Sequence, residues 1–132
     1  MQNLFITDED EVVVNFTVAE SKNGEVFCGT VKDIFLKTIP DDCEVKDYSA
    51  TFKKPSFGDS LTLYKSIFRV NVTADVDYNP VQARYNKIIA LIKKWDLTND
   101  DSKPTEDQIR SLHPVVANII GVELESLIGD LI

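Results

Sequence analysis

The sequence predicts an α+β protein: a small N-terminal antiparallel β-sheet, a hairpin plus a third strand, packed on a C-terminal helical bundle of about four helices. Three observations predict it. β-branched runs around an Asn-Gly turn fill the first third, apolar residues recur at spacings of three and four later, and the period changes near Phe57. The expected parts are residues 1–55 and 56–132, joined in one compact unit.

Val12 to Ala19 is rich in branched side chains, and Ser21-Lys22-Asn23-Gly24 leads directly into Val26 to Val31. Asn-Gly between two such runs favours a hairpin, because a tight turn there needs positive φ. Ile34-Phe35-Leu36 fits either a longer second strand or a short helical turn. Pro40-Asp41-Asp42 breaks the chain, and Glu44 to Phe52 alternates well enough for a third strand.

Phe57, Leu61, Tyr64 and Phe68 form one helical stripe, with Asp59 or Ser60 as cap; Leu63, Ile67 and Val70 form a second. A helix apolar on two sides wants two neighbours. Asn79-Pro80 opens the next helix, whose stripe is Val81, Tyr85, Ile88, Ile89, Ile92 and Trp95, with Arg84, Lys87 and Lys94 opposite. Residues 96–104 read as a loop. Thr105 to Gln108 is a capping box for a short helix ending near Leu112, and His113-Pro114 forces a break. The final helix carries Val116, Ile120, Leu124, Leu127, Ile128 and Leu131, and Gly121 and Gly129 weaken it.

Composition narrows the function. The formal charge is −8, which argues against a duplex-binding surface, since phosphate contacts need clustered Lys and Arg. Residues 1–55 hold 11 acids and 6 bases and residues 56–132 hold 11 and 8, so the charges interleave and a nucleic-acid mimic is disfavoured. No apolar run reaches the length of a membrane span, and Met1 to Phe5 lacks the features of a secretion signal. The expectation is a soluble protein of a reducing cytosol, with Cys28 and Cys43 as two buried thiols.

Catalysis finds little support. His113 stands alone beside a proline, with no nucleophile motif, phosphate loop or paired-histidine zinc motif. Asp96, Asn99, Asp100 and Asp101 lack the ligand spacing of a calcium loop. No catalytic residue, metal or cofactor is therefore expected. The feature that stands out is an apolar surplus late in the chain: Val115, Ile119, Val122 and Ile132 fall off the main stripe of the last helix. Either that helix is buried on most sides, or the surplus faces a partner.

Arg84-Tyr85-Asn86-Lys87 running into Leu91 to Thr98, then Asn99 to Thr105 and Leu112 to Asn118, resembles tailed-bacteriophage tail assembly chaperones and related small tail-module proteins. Thr51 to Asp59 looks like the extended lead into their first helix. The likeness covers about residues 50–120. Ser102 stands where Gly is usual, and Thr105 follows Pro104 directly, a shorter join than usual. The resemblance implies a binding role in the host cytoplasm, holding the aggregation-prone tape-measure protein while the tail tube polymerises around it. The residues expected to carry that contact are Ile119, Ile120, Leu124, Leu127, Ile128 and Leu131. The alternative is a structural virion subunit of the neck, tail or baseplate, for which the β-rich start would be the assembly module. Self-association into a homo-oligomer is the other partner the surplus allows; nucleic acid and membrane are not expected.

Overall fold

The computed structural model describes residues 4–67, 69–70, 76–77, 80–98 and 102–129. Phe68, Asn79, residues 99–101, Leu131 and Ile132 lie outside the described residues, as do the side chains of Tyr64, Ile67 and Val70. The chain is α+β, as its two hydrophobic periods predict. Its elements are β1 (Glu11–Glu20), β2 (Val26–Gly29), α1 (Lys32–Leu36), β3 (Glu44–Lys53), α2 (Phe57–Ile67), β4 (Arg69–Val70), β5 (Val76–Asp77), α3 (Pro80–Leu91), β6 (Ile92–Trp95), α4 (Glu106–Arg110) and α5 (Pro114–Ile128).

Four strands form an antiparallel sheet in the order β2-β1-β3-β6, and β4 pairs with β5 in a separate ribbon. The β1–β2 hairpin closes through a five-residue connection: Ser21 N–H donates to the Glu25 carbonyl at 2.9 Å and Gly24 N–H to the Ser21 carbonyl at 3.0 Å. Gly24 takes φ +84°, the left-handed region that favours glycine. β1 and β3 then pair over their full length, from Glu11↔Lys53 to Glu20↔Glu44. Because side chains alternate, this register puts Val14, Phe16, Ala50 and Phe52 on one face. All four are buried there, with Leu63, Ile88, Leu91, Ile109, Val116, Ile120 and Leu124 from the helices. One core thus draws on both halves of the chain.

The opposite face carries Thr17 and Gly29, paired across β1 and β2. The Ile34 segment resolves as helix α1, and its single buried side chain, Phe35, lies against Gly29. A Cβ on Gly29 would sit 2.7 Å from the Phe35 ring, so the absent side chain is what admits the ring. Lys32 and Thr17 both donate to Asp47, each at 2.7 Å, and tie α1 to the two central strands.

Three sequence expectations need correction. The third helix does not run through Trp95: it ends at Leu91, and Ile92–Trp95 is the fourth strand, so the sheet is larger than the predicted hairpin plus third strand. The pairing jumps from Phe52↔Ile92 to Thr51↔Lys94, leaving Lys93 with no residue opposite. That bulge returns Trp95 to the buried face three positions after Ile92, a spacing that imitates a helix turn. On α2, Phe57 is 80% exposed and Leu61 also faces solvent, while Leu63 is buried; Val70 belongs to β4. Lys87, expected on the solvated side, is only 2% exposed. Cys28 and Cys43 are free thiols, each half-buried. Among the described residues, no helix is long and apolar enough to cross a membrane.

Candidate binding cleft

Helices α3, α4 and α5 line an open cleft of about 570 Å³. Helical periodicity chooses its lining: Val81, Arg84, Tyr85 and Ile88 form an i, i+3, i+4, i+7 stripe on α3, and Pro114, Ala117 and Asn118 form the matching stripe on α5. α4 adds Ile109 and Arg110, and Leu112 follows from the connection. Ile88 and Ile109 are buried at its floor, whereas Val81 at the rim is 73% exposed.

The walls are held by local signals legible in the sequence. Thr105 and Gln108 form the predicted capping box: Gln108 N–H donates to Thr105 Oγ1 at 3.2 Å, and Thr105 N–H donates to Gln108 Oε1 at 2.9 Å. It starts the short α4 and so positions Arg110. His113 caps α5, its Nδ1 accepting from Val115 N–H at 3.2 Å, with Pro114 in the first turn. α5 is continuous through Gly121, and a Cβ there would come within 3.3 Å of the Arg84 side chain. Gly121 therefore lets α3 and α5 approach closely.

Charges lock that approach. Glu125 on α5 lies 3.3 Å from Lys87 Nζ and 3.6 Å from Arg84 Nε. Arg84 Nη1 donates to Asn118 Oδ1 at 3.1 Å, while its Nε is buried without a hydrogen-bond acceptor. Arg110 Nε donates to Tyr85 Oη at 2.7 Å, and its guanidinium carbon lies 5.4 Å from the Tyr85 ring centroid. Tyr85, and more weakly Glu106 and Asp107, hold the Arg110 pKa above the ordinary guanidinium value, so its charge is permanent. Among the described residues, Arg84 and Arg110 thus line the cleft, and no carboxylate does. Among the described residues, no group of three His, Cys, Asp or Glu side chains is placed to hold a metal ion.

Comparison with family models, curated proteins and solved structures finds no match for this chain.

The residues expected from the sequence to touch a partner do not form one surface. Ile120 and Leu124 are fully buried in the core, so they are structural. Ile119 is half-buried and Ile128 packs against the core from its edge; Leu127 is exposed, as are Val115 and Val122 off the stripe. Leu131 lies outside the described residues. None of the five described ones lines the cleft. Sequence reasoning put Val81, Tyr85 and Ile88 on one apolar stripe; Ile88 is buried in the core and Tyr85 packs against it half-buried, whereas Val81 is exposed. The available signal was the arginine distribution: in a chain with 11 lysines and three arginines, Arg84 falls in α3 and Arg110 closes α4.

Proposed function

We propose that this chain is a non-enzymatic phage protein that acts by protein–protein contact in tail assembly, as a tail assembly chaperone holding the tape-measure protein. The motif resemblance over residues 50–120 suggests the setting. The observation that carries the reading is the open cleft between α3, α4 and α5, where buried Ile88 and Ile109 meet an exposed Val81 and nothing from the protomer's described residues covers the opening. A holder of apolar helices needs such a groove together with a charged exterior that keeps the complex soluble. The formal charge of −8 provides the second.

Co-expression with the tape-measure protein tests this. A soluble complex should form, and Val81→Asp, on an exposed side chain, should abolish it while leaving the melting temperature unchanged. No complex, or capture indifferent to that substitution, would overturn the proposal. The virion-subunit reading has one feature in its favour: Val31, Ile34 and Leu36 form an exposed apolar corner around α1, remote in sequence from the cleft. Mass spectrometry of mature particles separates the two, since a chaperone leaves and a subunit stays in fixed copy number.

A further inference from the structure

We infer that the cleft recognises one amphipathic helix carrying a carboxylate beside its apolar anchors, with Arg110 as the group that reads the carboxylate. The inference rests on the proposal that the cleft holds a polypeptide and adds what that polypeptide must look like.

Size and shape select a helix. From Val81 to Ile88 the α3 wall runs seven residues, about 10.5 Å at helical rise, which matches anchors at i, i+3 or i+4, and i+7 of a ligand helix. The cleft is open along one side, so it takes the anchors and leaves the ligand's polar face in water. An added strand would need a sheet edge, and among the described residues no strand residue lines this cavity. A proline-rich segment would need a row of aromatic rings, and among the described residues Tyr85 is the single aromatic ring in the lining.

Charge selects the flank. In a chain with 22 acids and 14 bases, the cleft lining holds, among the described residues, two guanidinium groups and no acid. Arg84 is committed within the fold to Asn118 and Glu125. Arg110 is not: Tyr85 fixes its Nε, and among the described residues its two terminal NH₂ groups have no hydrogen-bond acceptor. A fork whose stem is pinned on a tyrosine is pre-organised for two-point binding of a carboxylate. The remaining acidic surface opposes an acidic ligand, but that repulsion is screened beyond ~8 Å at physiological salt, whereas the fork acts at contact. Acidic helices that fail to place the carboxylate at Arg110 are thereby rejected.

The probe is a display library of 14-residue helical peptides with apolar residues fixed at i, i+3, i+4 and i+7 and all other positions free, selected on the full chain. The wild type should enrich Asp or Glu at one position flanking an outer anchor. Arg110→Gln should keep the apolar preference and lose the acidic one, and Val81→Asp should recover no peptide. For a selected peptide, Glu→Gln should weaken binding roughly tenfold on the wild type and leave it unchanged on Arg110→Gln. Tyr85→Phe, which keeps the charge but unpins the fork, should give an intermediate loss.

Absence of acidic enrichment, enrichment that persists in Arg110→Gln, or failure to recover peptides would overturn the inference. So would dodecanoate displacing the peptides at equal concentration, or a dimer abolished by Val81→Asp, which would assign the cleft to a fatty carboxylate or to a second copy. Capture of the tape-measure protein that is lost in Val81→Asp but intact in Arg110→Gln would leave the chaperone proposal standing and refute this one alone.

Discussion

Glu125 holds the two long walls of the cleft together, and its loss should be costly for a specific reason. Lys87 is almost fully enclosed, with 3% side-chain exposure, and its ammonium lies 3.3 Å from Glu125 Oε1. Glu125→Gln keeps the shape and removes the charge, leaving an enclosed ammonium with no described anion beside it. Breaking a fully buried pair costs about 3–5 kcal/mol. Glu125 retains 30% exposure, so water repays part of that, and the expected loss is about 2–3 kcal/mol. For a domain of this size that lowers Tm by roughly 6–12 °C. Urea denaturation followed by Trp95 fluorescence measures it directly. The double variant Lys87→Met/Glu125→Gln removes both charges and should return to within about 1 kcal/mol of the wild type. If the single substitution costs under about 0.5 kcal/mol, or the double one recovers nothing, the penalty is not a stranded charge and this account of α3–α5 docking fails.

Three further outcomes follow from the geometry. Gly29→Ala should destabilise by about 1–2 kcal/mol in denaturant melts, because the new methyl overlaps the Phe35 ring and core overpacking carries that cost; a Gly29→Ala/Phe35→Leu pair should recover part of the loss, and an equally stable Gly29→Ala would show that α1 does not seat as described. Thr105→Ala removes half of the α4 capping box and should cost about 1 kcal/mol, with a measurable drop in affinity of any cleft ligand that reads Arg110. Stability should also fall in acid. Asp59 is held below its ordinary value of 3.8 first by the Ser56 backbone N–H and then by Lys53; Lys32 and Thr17 lower Asp47, and Lys93 lowers Glu11. A depressed carboxyl stabilises fully above its unfolded pKa and loses that contribution as pH falls through the folded value, so midpoints should drop below about pH 4. Asp59→Asn should flatten that slope in urea melts taken at successive pH values.

The sequence announced the parts whose causes are local. The Asn-Gly hairpin, the capping box at Thr105, the proline break after His113 and the two hydrophobic periods all act over a few residues, and each was legible. What it concealed depended on distant partners. Ile92 and Trp95 are three apart because a bulge against β3 skips Lys93, and nothing within the segment distinguishes that from a helix turn. Lys87 looks like a solvent lysine until Glu125, 38 positions later, is brought to it. The aliphatics of the last helix were correctly seen as too many for one stripe, yet their allocation follows from what covers them: Ile120 and Leu124 meet the core and Leu127 meets water. The cleft joins residues from three helices, so only Arg84 and Arg110 hinted at it.

The most direct measurement is site-specific photocross-linking during tail assembly. A photoreactive residue at Val81, on the cleft rim, is compared with one at Val13, exposed on the far face of the sheet. The account predicts an adduct with the tape-measure protein from position 81 and none from position 13. Adducts from position 13 alone, or from neither position in assembling cells, would contradict it.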